Sequence, residues 1–538
     1  MREASESASP LVFICAAGIA VRLIAPWVKD KMSDGPVIVI DPGGRFVVPI
    51  LSGHAGGANA LARRLAGYLG AEAVLTTATD SGGRFAADSF AREHGCAISD
   101  RKKVKEIAVK SLEGQKIRVF SDPESGAGIR PGGASGTVLT SDVSQADVVI
   151  SAKKLSMQAL QLIPKRLIVG VGCRKGASKE EIQEAVSRTL GGSGYDLRSV
   201  AAIASIDLKK DEAGIVQTAA EMRVPFLTFP AETLSHVQGS VSPSDFVKQV
   251  TGVDNVCERS ALAVGSRLVI RKSVCSRVTV AAAMADFKIL LFGGTTEGKE
   301  LTEFLEKQAI SALVLTATGY GAQVLPGDMK YVRVLTGRLT AGRMADLFLA
   351  TCPRAVIDAT HPYAEEVSAN IRAAAGKTGV KLIRVKRPET AEIPGAAYFA
   401  SPRDAAMFLN RTAGNILLTT GVKDLPVFMA NVRDAGARVF ARVLSHSKSA
   451  AAGAGVREDH ILAGEGPFST EENERAIRDT KAAFLVSKDS GEAGGLPEKV
   501  RAAAGCGCAL LIIRRPGEPE DAVSAKQCEE AILELSDT

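Results

Sequence analysis

The chain has 538 residues, more than the ~250–300 residues at which one hydrophobic core stops growing, so several domains are expected. Its composition, 46% hydrophobic and 23% charged, is that of an ordinary globular protein. A net charge of +6 with 5% aromatic residues suits an acidic small molecule and argues against a nucleic-acid partner, since no dense basic run carries interleaved aromatic side chains.

Short apolar runs that predict strands alternate with helical patterns along the whole chain. The predicted strands are residues 11–15, 37–40, 73–76, 117–120, 148–150, 167–171, 200–205, 288–292, 312–316, 355–358, 381–385, 415–419, 438–443, 482–487 and 509–513. This alternation predicts an α/β fold of several Rossmann-like parallel-sheet domains in tandem. Ligands of such sheets bind beyond the carboxyl ends of the strands, so function is expected in the strand-to-helix turns.

Composition suggests where the domains end. A Pro/Gly/Ser-rich segment follows residue 120, a short bridge covers 151–165, and a further change of composition covers 273–286. We therefore predict an N-terminal domain, a middle or linker segment, an α/β domain and a final region of two lobes, at residues 1–120, 121–165, 166–283 and 286–538.

Two turns in the first domain carry polar residues. Residues 52–59 read SGHAGGAN, and His54 there can orient a water or bind a carboxylate. Equally, His54 can bond locally while the glycines permit tight packing and Asn59 points into the first helical turn. Residues 76–80 read TTATD and end on Asp80.

The α/β domain begins with a basic glycine turn. Residues 170–176 read GVGCRKG, which places Arg174 and Lys175 between a strand and a capped helix. Cys173 and Cys257 are interpreted as small turn residues, because no nearby histidine suggests a thiolate pair.

The final region opens on a glycine turn at residues 293–298. A turn of this kind is weak evidence alone, because about half of such turns are merely tight connections. Its functional interpretation is a phosphate site at a helix N-terminus. The candidate cofactor-binding residues here are Gly293, Gly294, Thr295, Thr296, Glu297 and Gly298.

Three later turns strengthen that interpretation. Asp358 ends a strand, and His361 and Tyr363 follow at once. The alternative is that Asp358 or Thr360 caps the helix and His361 is a neutral turn residue. The other two turns carry hydroxyl, glycine and lysine residues, namely Thr420, Gly421, Lys423, Lys488, Ser490 and Gly491.

The cysteines and the N-terminus indicate the compartment. The nine cysteines are scattered, no CxxC pair or His/Cys cluster predicts a metal site, and the first ten residues lack the basic segment of a secretory signal. The apolar stretch 11–21 is too short to span a bilayer. We expect a cytoplasmic chain with reduced thiols and no membrane partner.

In chain order, the motifs of the final region resemble those of precorrin-6A reductases across residues 286–516. They are FGGTTEG, DATHPYA, TTG, GPFSTEEN and KDSGEAGG, which begin at residues 292, 358, 419, 466 and 488. The resemblance implies hydride transfer from NADH or NADPH to a corrin-forming macrocycle, in a cleft between two Rossmann-like lobes. No acidic residue follows the glycine turn at the distance that would indicate NADH.

That resemblance assigns roles to the remaining candidates. The six residues of the glycine turn, with Thr420, Gly421, Lys488, Ser490 and Gly491, are expected to hold the cofactor. Cations that include Lys423, Lys488 and Arg333, together with Asp358, are expected to meet the carboxylate-rich macrocycle. His361 and Tyr363 are the candidate proton donors, although either can instead hold a carboxylate or the cofactor.

The first half resembles the cobalt-precorrin-5A hydrolases. The motifs are SGHAGGAN, TTATD, GVGCRKG, SIDLKKDE and VCE, which begin at residues 52, 76, 170, 205 and 256. The resemblance implies opening of a lactone on the macrocycle with release of acetaldehyde, and cobalt enters only as part of the substrate. His54 is expected to activate or position the water. Asn59, Asp80, Arg174 and Lys175 are expected to bind the substrate.

Three functional hypotheses follow. The leading one is a bifunctional enzyme of cobalamin biosynthesis, and association with other enzymes of that pathway is compatible with it. In the second, only the reductase acts and the front half is a corrinoid-binding or assembly module, because members of the hydrolase family usually carry one or two further βα units before the strand at 11–15. A shortened front would leave a sheet edge exposed. The third is an unrelated nucleotide-binding oxidoreductase.

Overall fold

The computed structural model describes residues 10–29, 34–53, 56–75, 85–125, 129, 136–155, 158–317, 325, 329–387, 392–466, 468–489 and 495–537. Within these residues lie five β-sheets flanked by helices, which confirms the α/β class. Three of the sheets include antiparallel pairs, whereas the two sheets of the final region are wholly parallel.

The front domain, residues 10–75, has one four-stranded sheet in the order β1-β2-β3-β4. Its elements are β1 (Leu11–Ile14), α1 (Ala17–Ile24), β2 (Val37–Ile40), β3 (Phe46–Leu51), α2 (Ala58–Leu69) and β4 (Glu72–Ala73). The strand β1 lies at an edge, and Val12 and Ile14 are 46% and 73% exposed.

The middle domain, residues 85–164, has a five-stranded sheet in the order β5-β9-β8-β6-β7. Its elements are α3 (Ala87–Glu93), β5 (Cys96–Ile98), α4 (Arg101–Leu112), β6 (Ile117–Ser121), β7 (Thr137–Leu139), β8 (Val148–Ile150) and β9 (Leu160–Pro164). The boundary that we placed after residue 120 falls inside β6, and residues 121–165 contribute three strands to this sheet. Turn residues mark a loop but do not distinguish a loop within a sheet from one between domains.

The hairpin domain, residues 167–284, has the strand order β12-β11-β10-β14-β13. Its elements are β10 (Leu167–Cys173), α5 (Lys179–Gly192), β11 (Val200–Ile206), α6 (Ala213–Met222), β12 (Phe226–Phe229), α7 (Ala231–Ser235), α8 (Asp245–Thr251), α9 (Val256–Ala263), β13 (Arg267–Cys275) and β14 (Val278–Met284). The antiparallel hairpin β13–β14, which sequence patterns did not predict, extends the parallel part of the sheet at β10.

The first lobe of the final region has the parallel order β17-β16-β15-β18-β19. Its elements are β15 (Ile289–Phe292), α10 (Thr296–Lys307), β16 (Ala312–Thr316), β17 (Val332–Thr336), α11 (Ala341–Thr351), β18 (Ala355–Asp358), α12 (Glu365–Thr378) and β19 (Lys381–Arg384). The three central strands β16, β15 and β18 are buried runs, as expected for a parallel sheet covered on both faces.

The second lobe has the parallel order β20-β25-β24-β21-β22-β23. Its elements are β20 (Ala397–Phe399), α13 (Pro402–Leu409), β21 (Asn415–Leu418), α14 (Leu425–Asn431), α15 (Ala435–Arg438), β22 (Val439–Leu444), α16 (Lys448–Gly453), β23 (Ile461–Gly464), α17 (Thr470–Asp479), β24 (Ala482–Lys488), α18 (Leu496–Cys506) and β25 (Ala509–Ile513). The chain then returns to the first lobe, where α19 (Ala525–Asp537) buries Cys528 and Ile532 in its core.

The hairpin domain and the first lobe share one hydrophobic core. A single apolar cluster joins Leu227 and Phe229 of β12 to Leu347 and Phe348 of α11. Polar contacts reinforce the junction, since the Arg166 guanidinium donates to the carbonyl of Thr351 at 2.6 Å. The two units are therefore packed against each other and not merely tethered.

Candidate active site

The four turns singled out in the final region follow the strands at which each sheet reverses its order. In the first lobe the reversal lies between β15 and β18, and in the second lobe between β21 and β24. Doubly wound sheets bind their ligands at such switch points. The fold thus places the predicted turns where a ligand of each lobe is expected.

The two lobes touch at these switch points. The Tyr363 hydroxyl, after β18, donates to the carbonyl of Ile513 in the second lobe at 2.9 Å. The Lys488 ammonium lies 4.8 Å from the centre of the Tyr363 ring, a distance at which a cation is attracted to the aromatic face. His361, Tyr363 and Lys488 therefore belong to one site between the lobes.

The glycine turn is shaped for close approach of a ligand to the backbone. Gly294 has a φ of +110°, and a Cβ at Gly298 would lie 3.0 Å from the Cα of Gly293. The Thr295 hydroxyl accepts from the Gly298 N–H and donates to the Ala359 carbonyl at 2.8 Å. The bond to Ala359 links the glycine turn to the turn that follows β18. Gly294 and Thr296 of the glycine turn remain exposed to solvent. The arrangement fits a phosphate at the start of α10.

Two carboxylates near this turn are already paired. Glu297 of the turn lies 3.0 Å from Arg387. Asp358 is 2% exposed, accepts from the Thr360 N–H and hydroxyl, and lies 2.9 Å from Arg384. Arg384 also pairs with Glu518 at 2.9 Å. These contacts give Asp358 a structural role within its own turn. Neither Asp358 nor Thr360 caps the following helix, because the N-cap of α12 is Ala364 and has no side-chain cap.

The environment of His361 keeps its imidazole neutral. Burial, then the positive charges of Arg387, Arg515 and Lys488, lowers the pKa of His361 to about 4. Its Nδ1 accepts from the Tyr363 N–H at 3.3 Å, so Nε2 carries the proton of the neutral ring. Burial also raises the pKa of the Tyr363 hydroxyl, which therefore stays protonated.

This shift predicts an NMR titration. We expect the His361 imidazole in the ligand-free protein to titrate with a midpoint near 4, well below the ordinary histidine value of about 6.5. The pKa of His361 is lower in the folded chain than in the unfolded chain, so the unfolded chain takes up a proton first as pH falls. The effect on the stability of the fold is therefore absent above about pH 6.5, and stability decreases as pH falls from about 6.5 to about 4. A His361→Asn variant identifies the signal, and a midpoint at or above the ordinary value would contradict the buried, cation-rich site.

The turn after β21 offers a buried hydroxyl to a ligand. Thr420 is 5% exposed, and its Oγ1 has no hydrogen-bond partner among the described residues. Gly421 beside it has a φ of +86°, and Lys423 is exposed. The Lys488 ammonium lies 2.9 Å from Asp424 and so ties this turn to β24. An unsatisfied buried hydroxyl fits a bound cofactor, whereas Ser490 and Gly491 lie outside the described residues.

The first half presents its candidates in two places. Arg174 and Lys175 are exposed in the turn before α5, and no carboxylate of the described chain lies within ion-pair distance of either. Asn59 is 3% exposed, and a Cβ at Gly53 would lie 2.8 Å from its Oδ1. This placement favours local packing for Asn59, while His54 and Asp80 lie outside the described residues.

Cys173 and Cys257 of the hairpin domain are not activated. Burial raises the pKa of Cys257 to about 11 and also raises the pKa of Cys173. Both shifts argue against nucleophilic thiols, although Cys257 lies in α9 and Cys173 ends β10, so that neither is the turn residue expected from the sequence. No cluster of metal ligands is found among the described residues, and none of the helices described is long and apolar enough to cross a membrane.

Sequence reasoning missed several charged residues of the second lobe. Arg442 is 8% exposed and lies near Lys499 of α18. A lone arginine within the apolar run of β22 was the available signal, because arginine is almost never fully buried without a partner.

Comparison with known proteins confirms the resemblance of both halves. Residues 288–535 match the family model Precorrin-6x reductase CbiJ/CobK, residues 167–283 match Cobalamin synthesis G C-terminus, and residues 1–80 match Cobalamin synthesis G N-terminal. A cobalt-precorrin-5A hydrolase of Salmonella typhimurium is 38% identical over 265 residues, which are 47% of this chain and 76% of that protein.

The second half has relatives of its own. A cobalt-precorrin-6A reductase of Salmonella typhimurium is 35% identical over 240 residues, which are 43% of this chain and 89% of that protein. A solved structure, CobK precorrin-6A reductase, is 22% identical with a TM-score of 0.37 and covers 47% of this chain and 98% of its own. The chain therefore belongs to two families of cobalamin-biosynthesis enzymes, the cobalt-precorrin-5A hydrolases in its first half and the precorrin-6A reductases in its second, and is a fusion of the two.

Proposed function

We propose that the chain catalyses two steps of cobalamin biosynthesis. The first is hydrolytic opening of the lactone of cobalt-precorrin-5A with release of acetaldehyde, and the second is NADH- or NADPH-dependent reduction of cobalt-precorrin-6A. The observation that carries the reductase step is the contact of the two lobes beside their switch points, through the Tyr363–Ile513 hydrogen bond and the Lys488 ammonium above the Tyr363 ring. The hydrolase step is supported by the family matches of the first half.

Residues of both lobes would hold the nicotinamide cofactor, which supplies a hydride when bound. The N–H groups of the glycine turn at 293–298 would meet a phosphate, and the unsatisfied Thr420 hydroxyl and the neighbouring Gly421 would contact the cofactor from the second lobe. Lys488, which pairs with Asp424 and lies over the Tyr363 ring, would attract an anionic group of the cofactor. From the sequence, Ser490 and Gly491 are also proposed to contact the cofactor.

His361 acts as a neutral imidazole in this proposal. Burial, and after it the charges of Arg387, Arg515 and Lys488, lower its pKa in the ligand-free protein. Its Nδ1 accepts from the Tyr363 N–H, so the Nε2–H is the proton that the ring can donate. Tyr363, whose N–H is bonded to His361, keeps the ring oriented. The pair then delivers a proton next to the carbon that receives the hydride.

In the first half, His54 would activate or position the water that opens the lactone. Arg174 and Lys175, exposed at the turn after β10, would bind carboxylates of the macrocycle. Asp80 is proposed as a further substrate contact, whereas the burial of Asn59 favours a packing role for that residue. Cobalt enters as part of the substrate.

A crossed assay tests both activities in one protein. The purified chain is assayed under anaerobic conditions in two reactions. In the first, the substrate is cobalt-precorrin-5A and the acetaldehyde released is measured with a coupled dehydrogenase. In the second, the substrate is cobalt-precorrin-6A and its reduction is measured with NADH and then with NADPH. His54→Ala should lower acetaldehyde release by at least ~100-fold, the typical contribution of a general base, and leave reduction intact. Lys488→Met should slow reduction by ~10-fold or more, as loss of a charge-assisted contact does, and leave acetaldehyde release intact. Each variant is the control for the other.

A second function is favoured by exposed apolar side chains in the front domain. Val12 and Ile14 of β1 are 46% and 73% exposed on one face of the strand, and an exposed apolar surface of this kind is typical of a binding or assembly module. If the wild-type chain reduces cobalt-precorrin-6A but releases no acetaldehyde, the first half is a corrinoid-binding or assembly module. Acetaldehyde release by the wild-type chain would exclude that function.

The nine free thiols support a reducing, cytoplasmic location, where other enzymes of the pathway are possible partners.

A further inference from the structure

Among the described residues of the second lobe, the buried cation Arg442 and the half-buried cation Lys499 form no ion pair, although Glu472 and Glu498 act on them from a greater distance. Arg442 of β22 is 8% exposed, its Nη2 donates to the Asn473 Oδ1 at 2.7 Å, and its Nη1 is buried with no hydrogen-bond partner among the described residues. The guanidinium carbon lies 4.2 Å from the centre of the Phe468 ring. The carboxylate next in sequence to Asn473, on Glu472, accepts from the Ser469 N–H in a capping box. A buried guanidinium without a carboxylate partner is costly in the absence of a ligand.

Lys499 provides the second cation. Its ammonium donates to the hydroxyl of Ser487, at the end of β24, at 3.2 Å. Leu418 of β21 pairs with Ala441 of β22 and with Val486 of β24. Arg442 and Ser487 are the next residues of these two strands, and successive residues of a strand alternate between faces. Arg442 and Ser487 therefore share one face at the carboxyl end of the sheet, beside the switch point.

The pKa values of the Arg442 guanidinium and the Lys499 ammonium are both lowered, as expected for buried positive charges. Burial lowers the pKa of Arg442 to about 10. Burial, followed by the charge of Arg442, lowers the pKa of Lys499 to about 8. Nearby negative charge would favour both charged forms.

We propose that Arg442 and Lys499, with the Ser487 hydroxyl, form a recess that binds one oxyanion of a reductase ligand. Asn473 positions the guanidinium by accepting from Nη2, which leaves Nη1 for the ligand. The oxyanion is a phosphate of the dinucleotide or a carboxylate of the macrocycle, and both offer the planar or clustered oxygen acceptors that arginine prefers. The inference rests on the proposed reductase function and adds a binding site to it.

The test uses the full-length protein with Arg442→Met and Lys499→Met. The matched control is Arg475→Met, which removes an exposed arginine of α17. Three quantities are measured: the thermal midpoint without ligand, the affinities for NADPH, NADH and inorganic pyrophosphate by calorimetry, and the KM for the macrocycle. For Arg442→Met we expect an unchanged or higher midpoint, because an uncompensated buried charge is removed, and about tenfold or more loss of affinity for one ligand.

The pattern of losses identifies the source of the oxyanion. Weaker binding of the dinucleotide and of pyrophosphate, with an unchanged KM for the macrocycle, assigns the recess to a phosphate. A higher KM for the macrocycle with unchanged dinucleotide affinity assigns it to a carboxylate. The proposal is overturned if both variants match Arg475→Met in every affinity, or if the midpoint of Arg442→Met falls sharply, since a structural role explains that fall. A wild-type chain that fails to reduce the macrocycle refutes the proposed function separately, and the pyrophosphate titration still decides whether the recess binds an oxyanion.

Discussion

Replacing Gly170 by alanine should destabilise the hairpin domain by more than about 3 kcal/mol, at the upper end of what overpacking costs. A Cβ at this position would overlap the carbonyl oxygen of Cys257 and lie 2.8 Å from its carbon and 3.0 Å from the backbone nitrogen of Ala261. All three atoms belong to the backbone of α9, so no side-chain rotation relieves the overlap. The helix must move off β10.

The measurement is the urea midpoint of the transition assigned to this domain by limited proteolysis, because a chain of several domains has no single unfolding free energy. Gly191→Ala is the matched control. A Cβ at Gly191, near the end of α5, meets nothing within 4 Å, and alanine is favoured there by roughly 0.5–1 kcal/mol. Equal midpoints for the two variants would show that α9 does not pack on β10 as described.

Removing the Asp358 carboxylate should cost about 3 kcal/mol, the lower end of what breaking a buried ion pair costs. The Asp358→Ala variant leaves the Arg384 guanidinium buried with only Glu518 as its counter-charge, and removes the acceptor for the Thr360 N–H and hydroxyl. The turn that carries His361 loses its anchor. We therefore expect a lower thermal midpoint together with a lower kcat of reduction.

Two conservative variants separate charge from hydrogen bonding. Asp358→Asn keeps an acceptor oxygen and should lose less stability than Asp358→Ala. Glu518→Gln should also lose less, because the side chain of Glu518 is 23% exposed and that of Asp358 only 3%. A normal midpoint for Asp358→Ala with a raised KM for the macrocycle alone would instead support the substrate-binding role expected from the sequence.

The sequence was most informative at the ends of strands. The turns at Gly293–Gly298, Asp358–Tyr363 and Thr420–Gly421 were found from local order alone, because a strand, a polar or glycine turn and a helix are adjacent in the chain. The glycines of the hydrolase-like turn were harder to interpret. Gly170 proves to be a site of helix–strand contact, which depends on Cys257, far along the chain.

Long-range pairings were beyond sequence patterns. The Tyr363 hydroxyl meets Ile513, and Arg384 meets Glu518, in each case more than a hundred positions away. The extent of the middle domain was missed although its strands β6 and β8 were predicted, because β5 and β7 have three residues each, too few to show a period. The hairpin β13–β14 was missed because its first strand is mixed in polarity and half exposed.

The core shared by the hairpin domain and the first lobe has a consequence for synthesis on the ribosome. The hairpin domain is translated first, and the side chains of β12 that pack towards α11 have no cover until residues 341–351 have emerged. Domains generally fold in the order in which they are made. The nascent hairpin domain therefore passes through a stage with an exposed apolar face, and its native state is completed only when the first lobe folds against it.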